Sequence, residues 1–209
     1  MNSYNRPLCV IFDLSEVFIA GLPGVEKRVS AALSIPEDGL LECFGGEPVM
    51  QVLRGEISED SYLGGILERT GWDLDLASLK QMVRDNFHVR IEGSLDILHE
   101  VVKTHHVAML SDHVREWIPY IRSIHPFLDI FDDRFYSFEL GKTKSDPTVF
   151  PKVLDALGYG PHDCLFIDDR IQNVRSAESI GLPSIHFRDA RQLRRDLSRR
   201  RVLSRRLEM

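Results

Sequence analysis

Four places in this chain carry side chains that could share one piece of chemistry: Asp13, Ser111, Lys144 and the pair Asp168-Asp169. Carboxylates beside a hydroxyl and an ammonium make an oxygen-rich set. That set suits Mg²⁺, which takes octahedral oxygen ligation and commonly combines one or two carboxylates with waters and a substrate phosphate. A carboxylate can also act as a nucleophile and form an aspartyl-phosphate. Phosphoryl transfer needs mainly positioning and neutralisation of charge, and a metal, an ammonium and a hydroxyl donor supply the neutralisation. Each residue alone has a plainer reading. Ser111 could cap a helix opened by Asp112-His113, Lys144 could be a solvated loop lysine, and the acidic pair could cap the helix that follows it. Their places in the chain argue for a common site.

Residues 8–12 form an apolar run too short for a helix, which reads as a strand buried on both faces and ending at Asp13. Residues 107–110 form a second such run, ending in Ser111-Asp112, and residues 164–167 a third, ending in Asp168-Asp169. Residues 135–138 and 184–187 predict two further strands. Helical periodicity fills the gaps: Leu95, Leu98, Val101 and Val102 share one face, and Val114, Trp117, Ile118 and Ile121 another. Asp146-Pro147 predicts a helix start and Gly158 its stop, and Ile171, Val174, Ala177 and Ile180 mark the next helix. Alternating strands and helices predict an α/β fold with a Rossmann-like parallel sheet and right-handed crossovers. The polar strand ends then meet at the carboxyl edge, where open sheets place their ligands.

Between residues 21 and 92 the pattern is helical throughout, with Ser58 as an N-cap and Gly71 as a stop. We expect a small all-helical cap there, inserted after the first strand, and a core made of residues 1–20 and 93–209. Trp72 and Phe87 are expected in the core of the cap. Phe44 and Glu47 flank the Gly45-Gly46 turn and are candidates for substrate contact if that turn faces the site. His105-His106 reads as a strand entry, because neighbouring strand residues point to opposite faces.

The chain has 209 residues, 43% hydrophobic and 28% charged, which suits a soluble globular protein able to bury a full core. Its net charge of −6 is uneven: residues 188–209 hold nine arginines against three acids, leaving −12 on the first 187 residues. An acidic body argues against nucleic acid as a partner. Leu193, Leu197, Leu203 and Leu207 space the basic end as an amphipathic helix with solvated arginines. Cys9, Cys43 and Cys164 are far apart and form no metal or disulfide pattern, and a reducing cytoplasm fits. No stretch reads as a leader or a membrane span. Oligomeric state is not legible.

The four motifs resemble those of the haloacid dehalogenase superfamily, in the branch with a small helical cap. Residues 9–15, 109–112, 141–147 and 165–173 are similar to its first to fourth motifs, in order, each at a predicted strand end. Gly46-Glu47 and residues 54–58 resemble the cap of bacterial sugar-phosphate phosphatases of this branch. The resemblance implies a Mg²⁺-dependent phosphatase that acts on a small phosphomonoester through an aspartyl-phosphate. Asp13 would attack phosphorus and bind Mg²⁺. Ser111 would hydrogen-bond the transferring group, with Asp112 beside it, and Lys144 would neutralise charge. Ser15 would offer its backbone carbonyl to the metal. Asp169 would be the direct ligand of the acidic pair, with Asp168 and Asn173 behind it.

One residue departs from the pattern. Most phosphatases of the superfamily carry Asp two residues after the nucleophile as acid and base, and this chain has Ser15. Glu16, His113 or a cap residue are the candidate replacements, and the sequence does not select among them. A metal-independent haloacid dehalogenase is the second reading, opposed by Ser15 and by the acidic pair. A fold that binds phosphate without turning it over is the third.

Overall fold

A computed structural model describes residues 6–204. Its five-stranded sheet is parallel throughout, in the order β3-β2-β1-β4-β5: β1 (Cys9–Phe12), β2 (His106–Ser111), β3 (Asp133–Tyr136), β4 (Cys164–Asp168) and β5 (Ser184–His186). β1 is central and all four of its residues are buried. The two-residue period of a strand sorts its side chains into two cores. Val10 and Phe12 face one core with Met109 and Ile167, whereas Cys9 and Ile11 face the other with Ala108 and Phe166. The first core is closed by α5 (Ser94–Val101), α6 (Trp117–Ile124) and α10 (Ala190–Arg199), the second by α8 (Val149–Leu157) and α9 (Ile171–Glu178). Cys9 and Cys164 lie side by side in register as free, buried thiols. The adjacent Cys164 thiol and burial hold Cys9 far above the usual thiol range.

The chain leaves β1 and forms α1 (Val25–Leu33), α2 (Glu47–Leu53), α3 (Glu59–Thr70) and α4 (Leu76–Asn86), with a 3-10 turn at Leu40–Phe44. The Ser58 hydroxyl accepts the Ser61 N–H at the start of α3, and Gly71 ends that helix in the left-handed region. Asp75 caps α4 in the same way. An isolated bridge between Ile19 and Arg90 ties the exit of this helical segment to its return.

Three local expectations need correction. The segment read as a strand over residues 135–138 divides at Tyr136: β3 ends there and the short helix α7 (Ser137–Leu140) begins, because the buried Ser137 hydroxyl turns back to donate to the Leu53 carbonyl at 2.6 Å. The regular turns of α8 begin at Val149 and not at Pro147; Asp146 instead binds the N–H and hydroxyl of Thr148 and organises the preceding turn. Asp112-His113 opens no helix, since α6 starts at Trp117. At the basic end Leu193, Leu197 and Leu203 are buried as expected, and Leu207 lies outside the described residues.

The helical segment shares one hydrophobic core with the sheet layer and is fastened to it by polar contacts as well. Glu59, 2% exposed, takes both guanidinium nitrogens of Arg84 and the indole N–H of Trp117 at 2.8 Å. Gly55 sits at φ +74°, where an added Cβ would come within 2.9 Å of the Phe138 carbonyl. A left-handed non-glycine residue costs of order 1–3 kcal/mol and the clash adds to it. Gly55→Ala is therefore expected to lower unfolding free energy by about 2 kcal/mol or more in urea titrations. An unchanged midpoint would show that the two layers do not meet tightly there.

Candidate active site

The polar ends of β1, β2 and β4 converge because the three strands are neighbours running in one direction. Asp13 continues the β1–β4 ladder by one bond, its N–H donating to the Ile167 carbonyl at 2.9 Å. Its Oδ1 accepts the Leu14 N–H at 2.7 Å and its Oδ2 lies 2.6 Å from Lys144 Nζ. The same ammonium is 2.7 Å from Asp168 Oδ2. Asp168 is held in turn by the Arg170 N–H at 2.8 Å and by the Asn173 amide, which donates to both its oxygens. Among the described residues Asp112 pairs with no side-chain cation: its two oxygens accept the backbone N–H of Lys144 at 3.1 and 3.2 Å. That contact carries the lysine loop from beyond α7 to the end of β2. Carboxylate oxygens of Asp13, Asp168 and Asp169 all lie within 4.8 Å of one another.

This arrangement is short of positive charge. Burial pushes the Asp13 carboxyl well above the usual range; Lys144 pulls it back, while Asp168 and Asp169 push it further up. Burial and Asp168 raise Asp169 to about 6, and burial raises Asp112 to about 6 against the pull of Lys144. Burial alone would depress Lys144, but Asp13, Asp168 and Asp112 outweigh it and keep the group an ammonium. An oxygen-only donor set with excess negative charge is what a hard divalent cation takes up. Ser111 closes β2, is fully buried, and its hydroxyl has no hydrogen-bond partner among the described residues. An orphaned buried hydroxyl costs about 1–3 kcal/mol, so the position favours a ligand bearing acceptor oxygens.

The raised acid at Asp169 has a consequence for metal-free protein. Its folded value lies above the unfolded one, so the folded state binds more protons between about pH 4 and 6. Its contribution is most favourable at low pH and is lost as pH rises through about 6. Asp169→Asn is expected to raise the melting temperature in EDTA at pH 7.5 by several degrees, each kcal/mol being worth about 2–4 °C in a chain of this size, and to change little at pH 4.5. Melting curves at the two pH values check it; equal shifts would refute a charge origin.

A cavity of about 580 Å³ opens over the cluster. Asp13, Ser15, Asp112, Lys144 and Asp169 line its floor, and Phe44 and Glu47 line its helical side. Ser111 and Asp168 are not on its wall and sit behind it. Glu47 is ion-paired with Arg54 at 2.5 Å. Trp72 packs on Phe44 within the helical segment, and Phe87 is buried and also reaches the cavity. Burial lowers His113 to about 3, and its Nδ1 accepts the Val114 N–H, so the ring is neutral at ordinary pH. Glu16 also lines the cavity, with φ +58° and its Oε1 accepting the Gly21 N–H at 2.7 Å. Reading the sequence missed Arg170 and Met50 as wall residues and took Trp117 only as a helix face. Arg170 directly follows the acidic pair, the one signal that could have marked it.

No family model matches the chain. The flavin mononucleotide hydrolase 1 of Arabidopsis thaliana is 29% identical over 189 residues, covering 90% of this chain and 76% of that protein. A HAD family enzyme of Bacteroides thetaiotaomicron, solved with magnesium and inorganic phosphate, superposes with a TM-score of 0.73 at 19% identity, over 88% of this chain and 95% of its own. That likeness establishes the fold. A sesquiterpene phosphatase of Aspergillus oryzae is 30% identical over 185 residues, 86% of this chain and 89% of that protein. The chain belongs to the haloacid dehalogenase superfamily. It is an enzyme of the superfamily's phosphatase group, a phosphoric monoester hydrolase. This superfamily member has no described helix long and apolar enough to cross a membrane.

Proposed function

We propose that this enzyme is a Mg²⁺-dependent phosphatase that hydrolyses a small phosphomonoester through a covalent intermediate on Asp13, with residues 21–92 acting as its cap. The observation that carries this reading is the Asp13–Lys144–Asp168 ion cluster, set beneath a cavity beside the unpartnered hydroxyl of Ser111.

Asp13 and Asp169 would hold the metal together with the backbone carbonyl of Ser15. Asp168 serves Lys144 instead, since its oxygens are taken by that ammonium, by Asn173 and by the Arg170 N–H. Bound Mg²⁺ supplies positive charge to the phosphoryl oxygens and to the crowded carboxylates. Asp13 attacks phosphorus, forming the acyl-phosphate bond as the ester P–O bond breaks. A phosphoryl oxygen reaching past the cavity wall would accept a hydrogen bond from the buried Ser111 hydroxyl, and Lys144 balances the charge between Asp13 and the phosphate. The alcohol leaves with a proton drawn from water. Water then cleaves the acyl phosphate, releasing phosphate and restoring Asp13. The neutral ring of His113 has no acidic proton to give near pH 7, which removes it from the candidate donors.

Phosphate release from a panel of phosphomonoesters, with Mg²⁺ and with EDTA, tests the reading. Activity that persists in EDTA would contradict it. General acid catalysis is worth about 10²–10⁴-fold, so Ser15→Asp is expected to raise kcat by about tenfold or more on esters of poor leaving groups. A rate that does not move would mean that a donor is already in place, and Glu16→Gln would then be expected to slow the enzyme.

A further inference from the structure

The charged side chains of the cavity are segregated. Asp13, Glu16, Asp112, Asp169 and Arg170 follow the carboxyl ends of strands, and Lys144 joins them from the loop after α7. The opposite wall, built by the helical segment, is apolar: Leu22, Leu41, Phe44, Val49, Met50 and Leu53. Glu47 is the only polar side chain that the segment's described residues bring to the cavity, and Arg54 already neutralises it while also binding Glu56 at 2.6 Å. Where the two walls meet, Phe87 packs on Trp117 at 5.3 Å and on His113 at 5.8 Å, giving an aromatic corner. Leu41 is 38% exposed, one of few large apolar side chains left in solvent, and it belongs to this wall. A volume of about 580 Å³ lies within the usual range of small-molecule sites and is far more than a phosphate group occupies.

From this segregation we infer that the alcohol half of the substrate is a hydrocarbon: the enzyme takes the monophosphate of an apolar alcohol and not a sugar or polyol phosphate. The inference rests on the phosphatase reading of the same site. A polyol would leave its hydroxyls facing a wall without side-chain partners, and burying an unpaired hydroxyl is costly. A hydrocarbon exchanges its own hydration, and that of Leu41 and Met50, for contact between them. The phosphate would sit at the charged floor and the chain would run along the helical wall to the aromatic corner.

A series of straight-chain alkyl phosphates, from ethyl to hexyl, tests this with full-length enzyme and Mg²⁺. Each buried methylene is expected to raise kcat/KM about fourfold, roughly 250-fold over the four methylenes that separate ethyl from hexyl. Ribitol 5-phosphate should fall at or below the ethyl ester. Met50→Gln, which keeps side-chain length, should flatten the rise. Mg²⁺-stimulated hydrolysis with no dependence on chain length, or with ribitol 5-phosphate preferred over hexyl phosphate, would overturn the hydrocarbon assignment and leave the phosphatase standing. No phosphate release from any ester would overturn the phosphatase reading and this inference with it. Calorimetric binding of ethyl- and hexylphosphonate to the Mg²⁺-loaded protein gives the same comparison without turnover; equal affinities for the two would count against the hydrocarbon assignment.

Discussion

Asp13→Asn is expected to lower Mg²⁺-stimulated phosphate release by about 10⁴-fold or more, the scale on which loss of a nucleophile acts when the remaining machinery has no other route. The amide is nearly isosteric and can still accept the Leu14 N–H, so the fold should persist. Burial holds the Asp13 carboxyl well above its ordinary range, which means that the folded protein pays for the negative charge there. Removing that charge should leave metal-free protein as stable as wild type or more so at pH 7.5. Loss of activity without loss of stability separates a chemical role from a structural one. Substantial turnover by an Asp13→Asn protein of verified mass would end the nucleophile assignment, and thermal melting of the same sample closes off misfolding as an explanation for inactivity.

Lys144→Met should damage both activity and stability. The ammonium is 1% exposed and lies within 2.7 Å of Asp13 and Asp168, so its removal leaves two buried carboxylates facing each other and Asp169. Breaking a buried ion pair from one side costs about 3–5 kcal/mol. Loss of a charge that stabilises the transferring phosphoryl group should cost a further factor of about 10²–10³ in kcat. The stability loss has a definite pH dependence. Without the lysine the folded carboxylates bind protons more tightly than the unfolded ones, so stability must rise as pH falls toward the unfolded carboxylate value. Urea titrations at pH 5 and pH 7.5 should therefore show a smaller deficit at the lower pH. An equal deficit at both would mean that Lys144 acts through its packing alone.

Much of the architecture was legible because the physics is local. An apolar run of four to six residues ending in Asp, Ser-Asp or Asp-Asp can hardly be anything but a buried strand with its polar end at a sheet edge. Three such runs with helices between them leave few topologies other than parallel neighbours. The helix stops at Gly71 and Gly158 and the cap at Ser58 are likewise contained in a few residues. The errors occurred where a distant partner overrides local preference. Ser137 leaves the strand conformation for the Leu53 carbonyl, 84 residues away in sequence. Asp112 opens no helix and instead takes the Lys144 N–H, 32 residues away; only the start at Asp146-Pro147 fails locally, where Asp146 holds Thr148 in a turn ahead of the helix.

The same division runs through the site. Residue types and order were enough to name an oxygen-rich cluster and to link Asp13, Ser111, Lys144 and Asp168-Asp169, because each stands at the end of an element that can be recognised by itself. By themselves they do not divide labour within the acidic pair, which only the family resemblance did; Asp168 ends β4 and Asp169 lies just past it. Packing aims Asp168 at Lys144 and Asn173, and leaves Asp169 at the cavity. Nor could order along the chain show that Leu22, Met50 and Phe87 share one wall, or that His113 is stripped of water and held neutral. Strand ends and caps depend on neighbours in sequence; the character of a cavity depends on side chains that meet only after the chain has closed over them.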